Sequence, residues 1–128
     1  MQMLNDILVV DDDPTIVDLV IETLREAEYL CCAAYDGESA LLAIESARPA
    51  LVFLDLHLPD LTGLDVVAQL YRQGLSHVPV ILMTADAAAA ANLPTTTFPD
   101  YLLKPFALDM LLRCAYRHVH PHSQHRSA

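Results

Sequence analysis

Four of five short apolar runs in this chain end in residues able to do charge chemistry. Asp11-Asp12-Asp13 follows the first run, Asp55 the third, Thr84 the fourth and Lys104-Pro105 the fifth. Placed together, these groups form a cluster of carboxylates with one hydroxyl and one ammonium. Two carboxylates 4 to 5 Å apart repel by roughly 3 to 4 kcal/mol at an effective dielectric near 20, so the cluster calls for a cation. An oxygen-only site with open positions suits Mg²⁺, or Mn²⁺, whose shell phosphate oxygens commonly complete. Lys104 supplies a point charge for a phosphoryl oxygen, and Thr84 can hydrogen-bond another. The chemistry this set points to is cation-assisted phosphoryl transfer, in which one carboxylate can itself be the nucleophile.

Bringing these residues together requires a particular architecture. The apolar runs Ile7–Val10, Leu30–Ala34, Leu51–Leu54, Val80–Met83 and Tyr101–Leu103 alternate with helical patterns, as in βαβ units around a parallel sheet. Each run is almost continuously apolar, which fits strands covered on both faces. The first helix carries Ile16, Leu19, Val20, Leu24 and Ala27 at helical spacing behind Pro14. The second carries Ala40, Leu41, Ile44 and Ala47 and must stop before Pro49. A third carries Leu64, Val67 and Leu70 and ends near Gly74, and the last spans about Ala107 to His118 with Leu108, Leu111, Leu112 and Ala115 on its apolar side. Between Asp86 and Asn92 the alanines favour a helix of about two turns but offer little to bury, and Pro94 and Pro99 then impose an irregular connection. In such a doubly wound α/β sheet the ligand site lies beyond the carboxyl ends of the strands, where the polar groups above are delivered.

The 128 residues, 54% apolar and 19% charged, suffice for one domain with a real core. Seven basic against 17 acidic residues give a formal charge of −10, which argues against direct nucleic-acid binding. No apolar stretch approaches the length of a membrane span, and a cytoplasmic protein is expected. Cys31, Cys32 and Cys114 are odd in number and off metal-ligand spacing, and are read as buried, reduced thiols.

Ile7-Leu8-Val9-Val10-Asp11-Asp12-Asp13-Pro14, Phe53-Leu54-Asp55-Leu56-His57-Leu58-Pro59, Thr84-Ala85 and Lys104-Pro105-Phe106 together resemble response-regulator receiver domains of two-component phosphorelays. The resemblance covers residues 4–118 and leaves 119–128 as a disordered tail or the start of a linker. It implies a flavodoxin-like sheet of five parallel strands in the order 2-1-3-4-5. It also implies that Asp55 accepts a phosphoryl group from a histidine kinase or histidine phosphotransfer protein, making the chain a signalling domain rather than an enzyme. Asp11, Asp12, Asp55 and the backbone carbonyl of His57 would hold the cation. Lys104 would pair with Asp55 beside a cis Lys104–Pro105 bond. Thr84 would turn towards the phosphate while Tyr101 swings inward, and the small Ala85 leaves room for the phosphoryl group. The partner downstream would be another protein, a fused effector domain or a second copy of the chain. Kinase specificity would lie near Thr15, Ile16 and Asp18 and on the loop after Lys104.

Single residues also have simpler readings. Asp13 serves either the site or the cap of the first helix, while Asp60 and Asp65 are read as loop and helix-start residues. Thr62 stands where the family often has aspartate, with little consequence expected. His57 and Asp86 flank the route by which water reaches an acyl phosphate, and are either tuners of its lifetime or solvated rim residues. The alanine-rich stretch from Ala87 to Pro99 departs from the family pattern where the output face normally forms. The pattern Asp11-Asp12-Asp13-Pro14-Thr15 also fits haloacid-dehalogenase-like phosphatases, with Asp11 as nucleophile and Asp13 as acid/base. That reading leaves Asp55 without a role. A receiver-like module that binds without phosphorylation is a further alternative. His118, His120, His122 and His125 are read as solvated rather than as metal ligands.

Overall fold

A computed structural model describes residues 7–93, 98 and 100–119. Expectations for residues 4–6, for Pro94–Thr97 and Pro99, and for the tail at 120–128 lie outside the described residues. Five parallel strands, β1 (Ile7–Val10), β2 (Cys31–Ala34), β3 (Leu51–Asp55), β4 (Val80–Thr84) and β5 (Tyr101–Leu103), form one sheet in the order β2-β1-β3-β4-β5. Asp55 and Thr84 are thus the last residues of their strands, one position further into the sheet than the apolar runs suggest.

Successive side chains on a strand point to opposite faces, and the core divides accordingly. Ile7, Val9, Leu51, Phe53, Ile81 and Met83 face one layer, with Val17, Val20 and Leu24 of α1 (Pro14–Glu26) and Leu111, Cys114 and Ala115 of α5 (Leu108–His118). Leu8, Val10, Val52, Leu54, Val80 and Leu82 face the other, with Ala40 and Ile44 of α2 (Gly37–Ala47) and Val66, Val67 and Leu70 of α3 (Gly63–Arg72). A sheet covered on both sides explains why β1 and β3 lack polar alternation. The edge strand β5 differs, since only Leu102 is buried while Tyr101 and Leu103 are exposed.

The helix phases require corrections. Leu19 and Leu64 are exposed, and Val17 and Val66 occupy the core positions instead. In α5, Leu108 is also exposed and Cys114 fills the buried face. Val17 and Val66 lie two positions from Leu19 and Leu64, about 200° round the helix, so apolar type alone did not fix the rotation. Helix ends follow local chemistry: Asp13 caps α1 by accepting from Thr15 N, Asp36 caps α2 through Ser39 N, and Thr62 with Asp65 forms a capping box on α3. Arg48 takes the left-handed conformation just before Pro49, and Gly74 does so after α3.

Helix α4 (Ala87–Ala91) has five residues, little more than one turn rather than two, and only Ala90 is buried. An alanine run has high propensity but contributes almost no apolar area to hold a longer helix against the sheet. Cys31 and Cys114 are buried, whereas Cys32 on the edge strand β2 is only partly covered. Among the described residues, no helix is long and apolar enough to cross a membrane.

Candidate functional site

The β1–α1 turn, the end of β3, the end of β4 and the end of β5 converge at the carboxyl edge of the sheet. Asp11 is fully buried there, its N–H donating to the Ala34 carbonyl and its Oδ1 accepting from Asp13 N at 3.0 Å. Asp12 is exposed at the rim. Asp55 accepts through Oδ1 from the His57 backbone N–H at 3.1 Å, which fixes the carboxylate plane. One carboxylate oxygen from each of Asp11, Asp12 and Asp55 lies within 4.8 Å of the others.

Lys104 reaches this cluster from the end of β5, its backbone N–H held by the Thr84 carbonyl at 2.8 Å and its peptide bond to Pro105 cis. Its Nζ lies 2.6 Å from Asp11 Oδ2 and 3.3 Å from Asp55 Oδ2. Burial pushes the Asp55 carboxyl above its ordinary value; the His57 N–H opposes this, the Asp11 charge adds to it, and Lys104 opposes it. Burial works to lower the Lys104 ammonium, but the hydrogen bond and charge of Asp11 and the charge of Asp55 outweigh it and hold the pKa above normal. Three carboxylates against one ammonium leave a local charge of about −2 when all are ionised, on an oxygen-only donor set. That arrangement fits a divalent hard cation such as Mg²⁺.

Thr84 is 1% exposed, and its Oγ1 accepts from the Asp86 N–H at 3.0 Å, so the hydroxyl is engaged by its own loop. Asp86 in turn accepts from Ala89 N at 2.9 Å to cap α4, and its Oδ2 lies 3.9 Å from His57 Nε2. The two rim residues flanking the cleft are therefore brought together across it. The cleft itself is lined by Asp12, Asp55, His57, Thr84, Asp86 and Lys104. Tyr101 stands outside this cluster, 41% exposed on β5. Asp13 caps α1, its Oδ1 accepting from Thr15 N at 3.0 Å.

Two polar anchors were missed in the sequence. Asp60 accepts from Gly37 N at 2.7 Å and Glu38 N at 3.0 Å, tying the β3–α3 loop to the start of α2. Asp100, just before β5, pairs with Arg117 of α5 and lies 3.9 Å from Cys114 Sγ. Both contacts join elements far apart in the chain, and no local spacing announces them.

The family model of the response regulator receiver domain matches residues 7–115. The chain is 38% identical over 102 residues to the DNA-binding response regulator MtrA of Mycolicibacterium smegmatis, covering 78% of this chain and 44% of that protein. It is 39% identical over 106 residues to the alkaline phosphatase synthesis transcriptional regulatory protein PhoP of Bacillus subtilis, covering 79% and 42%. The chain thus spans less than half the length of these curated relatives. Among solved structures, it is similar to the response regulator protein TrrA of Thermotoga maritima in complex with Mg²⁺-BeF, with TM-score 0.80, 32% identity and coverage of 91% and 100%. It is also similar to the chemotaxis response regulator CheY4 of Vibrio cholerae, with TM-score 0.81, 27% identity and the same coverage.

Proposed function

The chain belongs to the response regulator receiver domain family, and from that premise we propose that Asp55 is its phosphoacceptor, loaded by a histidine kinase or histidine phosphotransfer protein. The observation that carries this reading is the setting of Asp55: one carboxylate oxygen faces the Lys104 ammonium, the other is held by the His57 N–H, and two further aspartates stand alongside.

Phosphoryl transfer asks a protein mainly for positioning and charge stabilisation. An Asp55 oxygen attacks phosphorus as the P–N bond to the donor histidine breaks. The electron pair leaves on the imidazole, which takes up a proton. Lys104 then faces negative charge on the new acyl phosphate. When bound to Asp11, Asp12, Asp55 and the His57 carbonyl, Mg²⁺ supplies the positive charge that the phosphoryl oxygens need. Thr84 Oγ1 leaves the Asp86 N–H to donate to the phosphoryl group, and Tyr101 moves inward from its exposed place on β5. Their rearrangement shifts the population of the surface around α4 and β5, and that shift is the output. His57 and Asp86, at the rim, slow the attack of water that breaks the P–O bond and regenerates Asp55.

The functional unit is residues 4–118, working in the cytoplasm. A downstream protein, a fused effector domain or a second copy of the chain reads the switched surface. MtrA is a DNA-binding response regulator, and a fused DNA-binding effector is one form this output takes, while the acidic receiver itself makes no DNA contact. Borohydride trapping tests the acceptor: after phosphorylation it reduces an acyl phosphate to the alcohol, converting the acceptor aspartate to homoserine. Homoserine at position 55 is expected, and homoserine at position 11 instead would overturn the assignment.

A further inference from the structure

The loop from Asp55 to Gly63 carries the acceptor at one end and the start of α3 at the other. It is tightly fitted at two points. A Cβ added to Gly63 would meet the Asp55 carbonyl oxygen at 3.1 Å, and one added to Gly37 would meet the Leu61 side chain at 2.8 Å. The second contact presses the loop against the first turn of α2, whose N–H groups lack partners within the helix. Those donors are divided between two aspartates. Asp36 takes Ser39 N at 2.7 Å, as an ordinary cap does. Asp60, from the loop, takes Gly37 N and Glu38 N with its two oxygens. The Gly37 hydrogen bond is the leading reason that the Asp60 carboxyl is held below the ordinary range, although the group lies at the surface.

We propose that Asp60 is a positioning residue for the phosphoacceptor site: by gripping the Gly37 and Glu38 N–H groups it holds the β3–α3 loop, and with it the His57 backbone, where it orients Asp55 and the cation. This deepens the reading of Asp55 as acceptor and rests on it. The His57 N–H already holds Asp55 Oδ1, so a loop released from α2 would loosen the carboxylate's orientation as well as the loop itself. Groups that orient metal ligands typically account for 10- to 100-fold in metal affinity.

The test compares Asp60→Ala, Asp60→Asn and Asp36→Ala in the full chain. Mg²⁺ affinity is measured by titration calorimetry, thermal stability by circular dichroism, and the rate of phosphorylation from acetyl phosphate by intact mass. Asp36→Ala removes a hydrogen bond from the same helix turn without freeing the loop. Asp60→Ala is expected to weaken Mg²⁺ binding about tenfold and slow phosphorylation. Asp60→Asn, which keeps one acceptor oxygen, should fall between Asp60→Ala and the wild type. Asp36→Ala should lower the melting temperature with Mg²⁺ affinity within about twofold of wild type. Equal Mg²⁺ affinity in Asp60→Ala and wild type, or equal losses in Asp60→Ala and Asp36→Ala, would reduce Asp60 to a helix cap and overturn the proposal. A wild-type protein that binds Mg²⁺ but gains no phosphoryl group would overturn the acceptor reading instead, and the Mg²⁺ contrast among the variants would still decide the role of Asp60.

Discussion

The Lys104 ammonium is shared unequally between two carboxylates, 2.6 Å from Asp11 Oδ2 and 3.3 Å from Asp55 Oδ2. The nearer partner is the one with no exposure at all. Asp11 thus has its charge offset by a residue from the far side of the sheet. Asp55 is the more weakly held of the two.

Removing that cation leaves a buried carboxylate uncompensated. Breaking a fully buried pair costs about 3 to 5 kcal/mol; Lys104 is partly exposed, so Lys104→Met is expected to cost about 2 kcal/mol in metal-free buffer. Because a divalent cation can replace the lost charge, adding Mg²⁺ should raise the melting temperature of the variant more than that of wild type. Equal Mg²⁺ shifts in the two proteins, followed by circular dichroism, would count against a shared site.

The gathering of Asp11, Asp12, Asp55, Thr84 and Lys104 at one edge was legible in the sequence, because these residues follow apolar runs and a parallel sheet delivers such ends to one side; the order of the strands came only with the resemblance to receiver domains. Helix rotation was less legible: Leu19 and Leu64 are as apolar as Val17 and Val66, and only the packed sheet decides between them. The short α4 reflects a conflict between alanine's propensity and its lack of surface to bury. Asp60 was read as a loop residue because its partners, Gly37 and Glu38, lie on another element and are backbone groups that no side-chain pattern reveals.

The approach of His57 and Asp86, 3.9 Å apart with both side chains substantially exposed, sets a modest scale for their effect. Exposed pairs contribute about 0.2 to 1 kcal/mol, so His57→Ala should shorten the acyl-phosphate half-life by a factor of about three. Asp86→Asn, which retains a capping oxygen for α4, should do the same, and the double variant should add little more. Release of inorganic phosphate after donor removal gives the half-lives. Unchanged decay in His57→Ala would remove the pair from the mechanism.

The lowered pKa of Asp60 carries a pH signature. A folded-state value below the unfolded one, near 3.9, means that the unfolded chain binds more protons. The stabilisation is then fully present above the unfolded value and is lost as pH falls through the folded one. Urea denaturation of wild type and Asp60→Asn should therefore show a stability gap that is constant above about pH 5 and narrows towards pH 3. A gap that widens on acidification would contradict the assigned hydrogen bonds.

Helix α4 has one buried residue and an N-cap at Asp86, whereas every residue of β4 is buried. Native-state hydrogen exchange should find the amides of Ala90 and Ala91 at least about 100-fold less protected than those of Leu82 and Met83. Comparable protection would mean that α4 is as firmly anchored as the sheet.

The central claim is that Asp55 receives the phosphoryl group with the help of a cation. Intact mass after incubation with acetyl phosphate, with and without Mg²⁺, tests it most directly when wild type is set beside Asp55→Asn. The account predicts one Mg²⁺-dependent phosphoryl addition in the wild type and none in Asp55→Asn. Addition that survives Asp55→Asn would place the acceptor elsewhere, with Asp11 first in line, and no addition to the wild type would make this a module that acts without phosphorylation.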